Sequence, residues 1–168
     1  MRWRARRKAT VILGSALATT LLGVSGCADI HDIRYTLDHR ITITAPRNLA
    51  TVTMPTVMRW RLNDPSVLKD GRKFAVVVDR DVMPPGHPLK DLLTDPCAGD
   101  FPQCPDPEVL ADGYHTYLTT RSRVTIPSVV SQQGAAEGDS HTAMIILIDA
   151  AGKRVGDAYW RISFRVSS

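Results

Sequence analysis

Glutamate is nearly missing from this 168-residue chain, which carries only Glu108 and Glu137, and aromatic residues make up just 6% of it. No acidic residue precedes Asp29, only three cysteines occur, and no apolar run approaches the roughly 20 residues that a membrane-spanning helix needs. Each shortage excludes something. Three cysteines are too few for a scaffold held mainly by disulfides or for a multi-cysteine zinc site. The short apolar runs exclude an ordinary transmembrane helix. Scarce glutamate beside basic residues that are mostly Arg is usage common in GC-rich genomes, which suggests an actinobacterial source.

What is present begins with Arg2, Arg4, Arg6, Arg7 and Lys8, followed by a 16-residue apolar or small stretch, Ala9 to Val24. A basic head, a short apolar middle and small residues at the end are the parts of an export signal. The junction Val24-Ser25-Gly26-Cys27 resembles the bacterial lipobox, in which small residues precede an obligatory cysteine. That resemblance implies cleavage after residue 26, a diacylglyceryl group on the Cys27 thiol and acylation of the new amino group. Two or more acyl chains hold a protein on a membrane where one does not. The expected location is therefore the extracytoplasmic side of the cell membrane, with the membrane itself as first partner. The Arg6-Arg7 pair also fits a twin-arginine signal, but Lys8-Ala9-Thr10 lacks the strongly apolar residues expected next, so general secretion is favoured.

Removing residues 1–26 changes the electrostatics. Five of the 21 basic residues lie there, leaving 16 against 17 acids, about −1. The apparent basicity belongs to the signal, and no clustered basic stripe of the kind that binds nucleic acid remains. With Cys27 committed to lipid, Cys97 and Cys104 are an even pair in an exported protein, expected as a disulfide. Closing so short a loop contributes about 2–3 kcal/mol. Two thiolate metal ligands are the competing reading, and they have no neighbouring His or Cys to complete a tetrahedral set.

After a polar tether at 27–38, period-two patterning dominates. Ile41 and Ile43 alternate with threonines, Met58, Trp60 and Leu62 with Arg59 and Arg61, Val124 and Ile126 with Thr125, and Trp160, Ile162, Phe164 and Val166 with polar residues. Phe74–Val78 and Met144–Ile148 are unbroken apolar runs that read as central strands. Asp149-Ala150-Ala151-Gly152 reads as a turn before the last strand. No stretch carries a helical stripe of useful length; 88–94 and 128–133 predict a helical turn each. The expectation is all-β, a single antiparallel sandwich over residues 39–168.

The strand beginning "ITITAP", the Trp-centred strand Pro55–Leu62, the segment "FAVVVDRDVMPPG" and the ending "HTAMIILIDAAGKRVGDAYWRISFRV" together resemble immunoglobulin-like or fibronectin type III-like modules of exported bacterial proteins. The resemblance implies a β-sandwich and a binding or spacing role. Val82–Gly113 departs from a minimal module as a long loop insert with seven prolines and the cysteine pair.

No nucleophile elbow, His-Glu-x-x-His helix or phosphate loop is present, so a non-enzymatic role without cofactor is expected. Five scattered histidines give no metal spacing; His141 beside Asp139 reads as a strand-end hydrogen bond. Asp79, Asp81, Asp95, Asp100 and Asp106 lack the regular spacing of a calcium loop. Trp60 and Trp160 read as core, leaving Arg59, Arg61, Arg161 and Arg165 on solvated faces, a positive ribbon if their strands are neighbours. The insert is the expected contact site, with Phe101 as an exposed candidate alongside Pro102, Pro84, Pro85 and His87. Its partner is expected to be an envelope protein, the alternative being a small ligand or glycan passed to a transporter or wall enzyme. Replacing Cys27 by Ala is expected to abolish incorporation of labelled palmitate and partitioning into detergent, read by autoradiography after phase separation.

Overall fold

A computed structural model describes residues 38–95, 97–130 and 140–167; the lipobox residues Val24–Cys27, Asp139 and the second half of the 128–133 turn fall outside them. Among the described residues eight strands form two sheets: β1 (Ile41–Ala45), β2 (Ala50–Val52), β3 (Thr56–Leu62), β4 (Lys73–Val78), β5 (Thr116–Thr119), β6 (Arg123–Ile126), β7 (Ser140–Ile148) and β8 (Trp160–Val166). The smaller sheet runs β1-β3-β6 and the larger β2-β8-β7-β4-β5. Alternation puts Ile41, Met58, Trp60 and Ile126 of the small sheet against Phe74, Val76, Ile145, Leu147, Ile162 and Phe164 of the large one, in one shared core. Trp60 meets Phe74 edge-on across it, with ring centroids 5.2 Å apart.

The expectation of purely antiparallel pairing fails at one place. β2 runs parallel to β8, with Ala50 opposite Phe164 and Val52 opposite Val166. The chain leaves β1 through Pro46 and a left-handed Leu49 (φ 64°) and crosses to the other sheet without reversing. Leu49 N–H donates to the Ser163 carbonyl at 2.6 Å, and the Asn48 side chain accepts from Ser163 N–H at 2.8 Å. These bonds set β2 against the last strand.

The unbroken apolar runs have a specific cause. In β4, Phe74, Val76 and Val78 face the shared core while Ala75 and Val77 face the other way, and in β7 Ile146 and Ile148 do the same. That outer face is not solvated. Met83, Leu89 and Leu110 from the 82–113 insert cover it, all at most 4% exposed. A strand buried on both faces gives up alternation.

The covering segment holds a helix that patterning alone does not reveal. Helix α1 (Pro107–Tyr114) starts at Asp106, whose carboxylate accepts from Glu108 N–H at 2.7 Å, has Pro107 in its first turn, and ends at left-handed His115. These are standard start and stop signals. With eight residues it is too short to stand alone, and Leu110 is its fully buried contact with the sheet. A three-ten turn at Leu89–Leu92 matches the helical turn expected near 88–94, and a second, kinked one at Pro65–Gly71 is capped by Asp64. Truncating Leu110 to Ala is expected to lower global stability by about 2–5 kcal/mol, read from the urea midpoint of tryptophan fluorescence; a change below about 0.5 kcal/mol, as for an idle surface loop, would show that the insert is no part of the core.

Candidate functional site

The insert is fastened at three points before it shapes a site. At the end of β4, Asp79 adopts φ 53°, tolerable for Asp. Its carboxylate accepts from Thr142 N–H at 2.8 Å and lies 2.7 Å from His141 Nδ1. His141 is buried against Phe164. His141 meets Asp79 because β4 and β7 are neighbours; Asp139, beside which a strand-end hydrogen bond was expected, lies outside the described residues. The His141–Asp79 pair ties two strand ends and has no nucleophile in contact with it among the described residues.

The second fastening is a backbone rail. Gly86 N–H donates to Arg154 O, Arg154 N–H to His87 O and Leu89 N–H to Gly152 O, at 2.8–2.9 Å. Arg154 itself is buried, donating from Nη1 to Met83 O at 2.6 Å and from Nη2 to Asp157 O at 2.7 Å, with no acid in contact. Burial lowers its pKa, with the charge of Asp157 acting the other way. The guanidinium satisfies the Met83 carbonyl, which would otherwise be buried unpaired in irregular backbone, and reaches a second carbonyl at Asp157.

The third is the disulfide. Cys97 and Cys104 are bonded, with Cα atoms 5.8 Å apart, and Cys104 is buried. Phe101 lies within this loop and is half-buried rather than exposed. Its ring packs on the outer face of the large sheet, sits under Lys73 Nζ at 5.4 Å and presses on Gly152. Phe101 is therefore a wedge under the loop, which corrects its expected role as an exposed contact. Pro84, Pro85 and Pro102 are exposed, as is His87, whose Nδ1 lies 2.8 Å from Asp91.

Between the insert and the turn after β7 lies an open groove of about 860 Å³, within the size range of ligand sites. It is lined by Lys90, Lys153 and Asp100, by exposed small residues at Gly99, Ala150 and Ala151, and by Leu89, Phe101 and Cys104. The turn is held by Asp149, whose carboxylate accepts from Ala151 and Lys153 N–H at 2.9 and 2.8 Å, as its Asp-x-x-Gly pattern predicts. The groove offers two ammonium groups, one carboxylate and exposed peptide edges. Lys90, Lys153 and Arg154 escaped sequence reasoning because only the fold brings residue 90 beside residue 153.

The expected carboxylates disperse. Asp106 caps α1, Asp100 lines the groove, and no group of three His, Cys, Asp or Glu among the described residues is placed to hold a metal. No described helix is long and apolar enough to cross a membrane. Arg59 and Arg61 lie in the small sheet and Arg161 and Arg165 in the large one, so these four form no common ribbon. No protein-family model, curated protein or solved structure matches the chain.

Gly152 shapes one wall of the groove. Its φ of +72° disfavours any side chain, and a Cβ there would lie 2.8 Å from the Phe101 ring. Gly152→Ala is expected to cost about 2 kcal/mol or more by chemical denaturation. Adding Phe101→Ala is expected to cost less in that background than in the parent, a non-additivity measurable in a double-mutant cycle.

Proposed function

We propose that this chain is a cell-envelope lipoprotein, exported by its first 26 residues, anchored through lipid on Cys27, and carrying a non-enzymatic immunoglobulin-like module whose groove takes an extended segment of an envelope protein. The strand order supports the module reading. β1-β3-β6 facing β8-β7-β4 follows the A-B-E and G-F-C plan of such domains, with β5 added beside β4 as in variable-type modules. The insert between β4 and β5 and the parallel β2 elaborate that plan.

The groove carries the functional reading. A glycan or small-ligand site is commonly closed and lined with aromatic faces. This groove is open, and its one aromatic residue is Phe101, whose ring is already engaged by Lys73 and Gly152. Exposed small residues and accessible backbone along the groove suit a peptide, and Lys90 and Lys153 favour an acidic one.

A photo-crosslinking residue at Lys90 or Lys153 is expected to give discrete protein adducts in cells, and one at exposed Leu49 none. Lys90→Glu with Lys153→Glu, crosslinked from Ala151, is expected to reduce the adducts roughly tenfold, the effect of about 1.4 kcal/mol. Recovery of a bound small molecule with no protein adduct would replace this reading with the ligand-binding one.

A further inference from the structure

The outer face of the small sheet gathers arginines that the linear sequence keeps apart. Arg59 and Arg61 project from β3, and Arg123 from β6 lies directly opposite Arg59. The bond from Trp60 N–H to Ser122 O, 3.0 Å, carries the register one step further and brings Arg121 alongside Arg61. All four arginines are exposed, and none makes an ion pair among the described residues. Arg61 has only a neutral partner, Asn63, at 3.1 Å. Thr42, Thr44, Thr125 and the half-buried Val57 share this face, and β1, β3 and β6 contain no acid.

Like charges directly opposite each other destabilise a sheet, and carboxylates are not scarce here, since 17 follow the signal. Leaving them all off these three strands keeps a two-by-two block of guanidinium groups uncompensated. Guanidinium forks match the paired oxygens of phosphates. We propose that this face docks on the phosphate headgroups of anionic lipids in the membrane that holds the chain, so that the domain rests on its three-stranded sheet.

This rests on the lipid-anchor reading of Cys27. Eleven residues lead from Cys27 to Asp38, a reach of at most roughly 40 Å, so the anchored domain stays near the surface. The described chain then enters the fold through β1, an edge strand of this same sheet. Tethering holds the headgroups at high effective concentration, so modest contacts suffice.

The test uses the full chain extracted from its membrane and reconstituted into vesicles. Thr125→Cys on the arginine face and Val109→Cys on α1 each supply one thiol for a fluorophore. Headgroup-attached quencher is expected to quench the label at 125 and spare that at 109 in vesicles containing phosphatidylglycerol. The contrast is expected to vanish in pure phosphatidylcholine, at high salt, and in the variant Arg59→Gln, Arg61→Gln, Arg121→Gln, Arg123→Gln. Each arginine removed is expected to weaken docking roughly fivefold, while the urea midpoint holds or rises. Equal quenching at both labels, docking unaffected by the four substitutions, or tighter binding to soluble polyphosphate than to vesicles would overturn the proposal. The mass of the N-terminal peptide reports on Cys27 separately. An unlipidated chain that still docks through the arginines removes the anchor and keeps the face; a lipidated chain with no preferred face does the reverse; a chain with neither removes both.

Discussion

Two central strands that are apolar on both sides set the terms for this fold. Once β4 and β7 put Phe74, Val76, Ile145 and Leu147 into the sandwich, Ala75, Val77, Ile146 and Ile148 lie on the opposite side and need cover from water. The insert supplies it, and its unusual parts follow from that duty. A loop without regular pairing, laid on an apolar sheet, buries backbone groups. Arg154 answers for the Met83 carbonyl, the rail from Gly86 to Leu89 for several more groups, and the disulfide limits the freedom of the rest.

The groove is a by-product of the same constraint. Covering the sheet takes the chain out along 82–93 and back through 97–114, and the turn after β7 rises against it. Space remains where the two meet, with Phe101 wedged beneath and the two lysines at the rim. The groove therefore lies against the face of the large sheet that the insert covers.

Much of this was legible in the chain. Alternation located β1, β3, β6 and β8, and the unbroken runs located β4 and β7, because each pattern reports directly which faces are buried. The cover for those runs was not legible: Leu89 and Leu110 look like isolated leucines in a proline-rich loop. Helix α1 had its Asp-Pro-Glu start in plain view, yet one buried leucine in eight residues gives no stripe. β2 had no signal, since its three residues pair with a strand more than a hundred positions away. Phe101 was expected to be exposed because nothing in the linear sequence shows the apolar outer face of the large sheet against which its ring packs. Arg59 and Arg61 were grouped with Arg161 and Arg165, and only the β3–β6 register shows that their companions are Arg121 and Arg123.

The point where the chain enters the domain has a mechanical meaning. Asp38 accepts from the indole N–H of Trp160 at 2.7 Å through its carbonyl, and its carboxylate holds Arg40, whose guanidinium lies 5.8 Å from the centre of the Trp160 ring. Asp38 leads into the first strand of one sheet, and Trp160 begins the last strand of the other. A pull on the amino-terminal end is thus shared between both sheets at its point of application, instead of peeling β1 away alone.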